Sequence, residues 1–207
     1  MKRLENSHHV IYDAQLIIYY CFLFKNHRII ELTNKSRLLT QFLINHEIQI
    51  VVPESIINEI KKKGFGKIIS EYTSSKYPMQ IIGLPKNLSP TFEYRMKKKI
   101  EDNFYKMINK NWFEIKEYSP NESFIDQIKG FYINFKDIEM LNEFLTIKRR
   151  ESPIPSEVDL ELIAFSKDMD FPIISNDNDI TFFAEELYEN GFSSKIYNFR
   201  DLDFYYN

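Results

Sequence analysis

His9-Val10-Ile11-Tyr12-Asp13 and Ile173-Ile174-Ser175-Asn176-Asp177 are the two stretches whose reading decides the fold. Each is a short apolar run that stops at a polar residue, with an aspartate at its end or two positions beyond. Runs of this length, bounded by turn-forming residues, read as short buried strands. Between and around them lie longer segments with helical spacing. Residues 14–24 are apolar nearly all round, which suits a buried helix. Thr33 or Asn34 is placed to cap a second helix reaching about His46, with Leu38, Leu39, Phe42 and Leu43 inward. Ile48-Gln49-Ile50-Val51-Val52 is another strand. Pro53 ends it and opens a helix over 54–63, because proline fits a first helical turn; Gly64 stops that helix.

Further along, Ser89-Pro90 starts a helix. Phe92, Met96, Ile100, Phe104, Met107 and Ile108 form an apolar stripe along it to about Lys110. The spacing predicts another helix over 136–150. Pro155-Ser156 opens one over 157–169, and Phe171 to Ser175 is a strand with its proline near the start. Asn176-Asp177-Asn178-Asp179 is a turn, 181–190 a helix closed by Gly191, and 195–199 a last strand. Short strands alternating with helices imply an α/β fold with a mainly parallel central sheet.

Composition narrows the function classes. The 207 residues are 43% hydrophobic, enough for one sizeable core, with 18 Phe and 13 Tyr among them. Only 5 Gly are present, and neither a P-loop nor a GxGxxG stretch occurs. The single cysteine, Cys21, excludes an internal disulfide, and no Cys/His pair has zinc spacing. The longest early apolar run, 16–24, is too short to span a bilayer. A soluble, cytoplasmic protein without a membrane partner is the expectation. The net charge of −3 supplies no whole-surface attraction for phosphate, so nucleic acid would have to be held by local basic patches and by metal ions.

Four acids stand where the fold would gather them. In an open parallel sheet, ligands bind beyond the carboxyl ends of the strands. Asp13 follows the first strand and Asp177 the late one. Glu59 lies on the helix after the second strand, and Asp159 starts the helix before the late strand. Converging carboxylates repel unless a positive charge joins them. Oxygen-only ligands suit Mg²⁺ or Mn²⁺, which can activate water against a phosphodiester.

Val10-Ile11-Tyr12-Asp13, Val52-Pro53-Glu54 through Glu59, Ser156-Glu157-Val158-Asp159 and Ile174-Ser175-Asn176-Asp177 together resemble the pattern of the PIN-domain nucleases, including the VapC-type toxins. The resemblance covers residues 9–64 and 153–200. It implies one PIN-like three-layer α/β/α domain over 1–207, with a core of about 1–64 and 153–207 and a helical insertion over about 65–152. It also implies metal-dependent phosphodiester hydrolysis, with RNA the commonest substrate and DNA an alternative. An antitoxin-like or other protein partner, a homodimer, and a catalytically degenerate interaction module remain open. Metal would be held by Asp13, Asp159 and Asp177, with Asp179 either a further ligand or a turn residue. Glu59 would ligate metal or orient its water, and Ser175 would support a ligating carboxylate. Ala14 and Gln15 follow Asp13 where the family usually has a small hydroxyl residue and then Asn or Ser.

Each acid also has a local explanation. Asp13 could cap the following helix. Glu59 and Lys63 form an i,i+4 pair. Asp159 completes a capping box with Ser156, and Asp177 suits an Asx-rich turn. The basic runs 61–63, 97–99 and 148–150 read as solvated helix faces, or as flanks of the acidic mouth that hold a phosphate backbone. Lys61, Lys62 and Lys63 are the first candidates, because they share a helix with Glu59. Tyr72, Tyr77 and Trp112 could stack on bases or simply pack.

Overall fold

The computed structural model describes residues 4, 7–22, 30–73 and 90–202; at 30, 70–73, 90, 92 and 93 only the backbone is described. Five strands form one sheet: β1 (His9–Tyr12), β2 (Gln49–Pro53), β3 (Phe113–Lys116), β4 (Ile173–Ser175) and β5 (Ile196–Asn198). Their order is β3-β2-β1-β4-β5, and every neighbouring pair is parallel. Ile11 pairs with Val51 on one side and with Ile173 on the other.

The sheet is covered on both faces. Val10, Ile11 and Tyr12 are all fully buried, and so are Ile50, Val51 and Val52. Successive side chains of a strand point to opposite faces. Unbroken burial along a strand therefore requires helices above and below, as expected for a parallel sheet. Each such side chain contributes about 1.5–3 kcal/mol by leaving water.

The helices are α1 (Ala14–Cys21), α2 (Ile30–Asn45), α3 (Glu54–Lys63), α4 (Phe65–Thr73), α5 (Pro90–Ile108), α6 (Glu122–Ile133), α7 (Ile138–Lys148), α8 (Glu157–Met169), α9 (Asn178–Thr181) and α10 (Ala184–Glu189). One hydrophobic cluster joins β1, β2 and β4 to buried residues of α1 to α5, with Leu162 and Phe165 of α8. A second joins Ile128 and Tyr132 of α6, Phe144 of α7, Leu160, Ile163 and Ala164 of α8, and Phe183 and Leu187. Helix α8 belongs to both clusters, so it ties the sheet to α6 and α7.

Several boundaries differ from the sequence-based expectation. The stretch 65–152 is not an all-helical insertion. It supplies β3, which pairs with β2 from Ile50↔Phe113 to Pro53↔Lys116 and makes one edge of the sheet. Phe113 is buried and Ile115 exposed, the alternation of a half-covered edge strand. Helix α6, capped by Asn121, was also unanticipated. Helix α2 begins at Ile30, so Thr33 and Asn34 lie within it, and Thr33 is buried. The helix expected over 181–190 is two helices, because Asp177 caps α9 and the chain breaks at Phe182 and Phe183. Phe183 is thereby sunk in the second cluster, within 4.9 Å of the Phe144 and Phe135 ring centroids. Gly64 closes α3 at φ 74, a conformation that favours glycine. Ser89 and Tyr77, and the side chains of Tyr72 and Phe92, lie outside the described residues.

Candidate active site at the carboxyl ends of β1 and β4

The chain runs from β1 outward to β2 and β3, then returns to β4 and β5 on the other side of β1. The crevice between the carboxyl ends of β1 and β4 is therefore a topological switch point, where open α/β sheets bind ligands. Asp13 leaves β1 at that crevice, and Asp177 leaves β4 two residues after its end.

Asp13 is nearly inaccessible, 4% exposed, and is held by three donors. Leu16 N donates to Oδ1 at 2.9 Å, which makes Asp13 the N-cap of α1. Asn176 N donates to Oδ2 at 3.0 Å, and the Ser175 hydroxyl donates to the same oxygen. Ser175 Oγ also accepts from Asp177 N at 2.9 Å. One fully buried hydroxyl therefore links the two aspartates, the supporting position expected of it. Burial pushes the Asp13 carboxyl up to about 6; the three hydrogen bonds oppose this and the charge of Asp177 adds to it.

Asp177 caps α9, with Oδ1 accepting from Asp179 N at 2.9 Å. Its Oδ2 accepts from Gln15 Nε2 at 3.1 Å. Gln15 Oε1 in turn accepts from Asn176 Nδ2 at 3.2 Å and from the Tyr19 hydroxyl at 3.1 Å. The residue that departs from the expected Asn or Ser thus reaches the second carboxylate with its longer side chain.

Asp159 sits at N3 of α8 in a capping box. Its Oδ2 accepts from Ser156 Oγ at 2.7 Å and Ser156 N at 3.3 Å, while its own N–H donates to Ser156 Oγ at 3.2 Å. Burial pushes this carboxyl up to about 7; Ser156 works against the rise, and the charges of Asp177, Asp179 and Glu59 add to it. Glu59 is at the exposed rim of the same group. Partial burial raises its carboxyl, Lys63 lowers it and Asp177 raises it further. Glu59, Asp159, Asp177 and Asp179 therefore feel one another's charge, and Asp13 joins them through Asp177. The local caps read from the sequence are present as well. Capping and convergence coexist in the same side chains.

Two cations missed by sequence reasoning complete the group. Lys148 Nζ lies 2.8 Å from Asp177 Oδ1 and 2.8 Å from Asp179 Oδ2. Arg150 Nη2 lies 2.7 Å from Asp179 Oδ1, and Nη1 donates to Oδ2 at 3.2 Å. Burial pulls the Lys148 ammonium down, but its bonds to the two aspartates outweigh that and raise it. Asp179 is 6% exposed and belongs to the site rather than to a solvated turn. Its backbone carbonyl accepts from the Tyr132 hydroxyl at 2.9 Å, which connects the site to the second hydrophobic cluster. The run 148–150 was visible in the sequence, but charge runs carry no signal of which distant acid they meet.

Lys61 and Lys62 are exposed on α3, and Lys61 lines a cavity of about 370 Å³ with Lys67, Lys97 and Tyr105. Trp112 is half-buried, edge-on to Tyr20 at 6.1 Å and packed against the main cluster, which is a core role.

The donor set fits a hard divalent cation in its chemistry: four aspartates and no sulfur or imidazole. Asp179 Oδ1 is a buried oxygen without a hydrogen-bond partner despite its ionic contact with Arg150. Asp159 Oδ1 accepts no hydrogen bond from the described residues. Among the described residues, no three acid, His or Cys side chains are grouped closely enough to hold a metal ion as they stand. Among the same residues, no helix is long and apolar enough to cross a membrane. Comparison with protein-family models, curated proteins and solved structures finds no match to this chain.

Proposed function

We propose that this protein is a Mg²⁺- or Mn²⁺-dependent nuclease of PIN-like architecture that hydrolyses RNA phosphodiester bonds. The observation that carries the reading is the meeting of Asp13 and Asp177 through Ser175 at the β1/β4 switch point, with Asp159 and Asp179 in electrostatic contact beside them. A divalent cation there would lower the pKa of a water molecule and offset charge on the phosphodiester. The residues of the chain do the positioning. Asp13, Asp159 and Asp177 face the ion, each fixed by a helix-capping hydrogen bond. Ser175 and Gln15 keep the first and last of these from turning away. Glu59, at the rim with a raised carboxyl, is suited to accept a proton from the attacking water. Lys61, Lys62 and Lys63 hold the flanking phosphate backbone.

The test is cleavage of single-stranded RNA by purified protein with Mn²⁺, beside a flap DNA and an Asp13→Asn control. RNA cleavage lost in the variant is expected. Preference for the flap would move the assignment to a structure-specific DNA nuclease. A second reading, a catalytically degenerate interaction module, is favoured by one observation: Lys148 and Arg150 already neutralise Asp177 and Asp179. It predicts no cleavage of either substrate and no rise in melting temperature with Mn²⁺.

A further inference from the structure

Lys148 and Arg150 are not loose surface cations. They flank Arg149, which ends α7 in the left-handed conformation at φ 52, the geometry of a helix C-terminus. Arg150 N donates to Leu145 O at 3.3 Å, and Arg150 Nη2 donates to Pro153 O at 3.0 Å. The guanidinium also lies 5.1 Å from the Phe144 ring centroid, over a fully buried aromatic. The end of α7 thus presents two cations to the acids from a fixed backbone.

An ammonium bridging two carboxylates supplies between them the positive charge that a metal ion would. When ionised, Asp13, Asp159, Asp177 and Asp179 carry four negative charges, and Lys148 and Arg150 return two positive ones. At the rim, Glu59 and Lys63 offset each other. The remainder is the charge of a single divalent cation. A second divalent ion would overshoot neutrality by two and would have to displace Lys148 from contacts of 2.8 Å on both sides.

We infer that the site takes one divalent cation, and that Lys148 is a built-in substitute for a second. The inference rests on the metal-dependent reading above. It makes Lys148 a positioning residue that holds Asp177 and Asp179 together and sets the stoichiometry of the site.

The experiment is Mn²⁺ titration of the full chain with electron paramagnetic resonance, on wild type, Lys148→Met and Lys148→Arg. Wild type is expected to bind one Mn²⁺ per chain with an uncoupled six-line spectrum. Lys148→Met is expected to bind two, with a spin-coupled spectrum, and Lys148→Arg to stay at one. Two coupled ions in wild type would overturn the inference and leave the metal-dependent reading standing. One ion in Lys148→Met, with affinity within twofold of wild type, would overturn the role of Lys148. No Mn²⁺ bound by any of the three would overturn both readings. Should Lys148→Met not fold, the wild-type stoichiometry and spectrum still decide.

Discussion

The Gln15 side-chain amide donates to Asp177 Oδ2 at 3.1 Å, joining the start of α1 to the turn after β4 across 162 positions of sequence. Groups that orient a ligating carboxylate typically change metal affinity or activity by about 10- to 100-fold when removed. Gln15→Leu should therefore weaken Mn²⁺ binding and RNA cleavage by about tenfold or more. Gln15→Asn, one methylene shorter, should fall between. Calorimetry and initial rates check both.

Asp159 gives the pH dependence. Its folded carboxyl is pushed up to about 7 from an ordinary 3.8, so the folded protein holds that proton more tightly than the unfolded chain. The resulting stability is fully present below about pH 4 and is lost as pH rises through about 7. Without metal, Asp159→Asn should raise stability at pH 8 by roughly 1–3 kcal/mol and change little at pH 4, since the amide oxygen can still accept from Ser156. Melting curves at the two values check it. A loss of about 1 kcal/mol at both would mean that Asp159 serves only as a cap.

Ser175→Ala removes the donor to Asp13 and the acceptor for Asp177 N in one change. Leaving these buried groups unpaired should cost about 1–3 kcal/mol and weaken Mn²⁺ binding. Tyr12→Phe is the control: its hydroxyl bonds Thr40 in the core, away from the acids. It should cost about 0.5–1.5 kcal/mol and leave Mn²⁺ affinity unchanged. Urea unfolding combined with metal titration separates the two.

The second hydrophobic cluster should matter to the site through Tyr132. Phe183→Ala opens a cavity among Phe135, Phe144 and Tyr132 and should cost about 3–5 kcal/mol. Tyr132→Phe preserves that packing but loses the bond to the Asp179 carbonyl. It should cost about 1 kcal/mol and lower Mn²⁺ affinity, which a denaturation series and a titration would reveal.

Much of this was legible in the sequence for local reasons. Strong apolar runs ending on Asp13 and near Asp177 located β1 and β4, and Pro53 and Gly64 bracketed α3. The parallel sheet followed from the alternation of strands and helices. What escaped was long-range or short. Strand β3 has four residues, two of them charged, and is recognisable as a strand only through its pairing with β2. The pairing of Lys148 with acids about 30 residues downstream leaves no periodic trace, because helix spacing reports only neighbours three or four apart. Gln15 read as a departure from a pattern, since its reach to Asp177 depends on the β1–β4 register.

The central claim is that carboxylates gathered at the β1/β4 switch point bind a divalent cation. Isothermal titration of the wild-type chain with Mn²⁺, beside Asp177→Asn, tests it most directly. The account predicts saturable heat in wild type and its loss in the variant. Heat no greater than dilution in the wild type, or equal binding by both proteins, would contradict it.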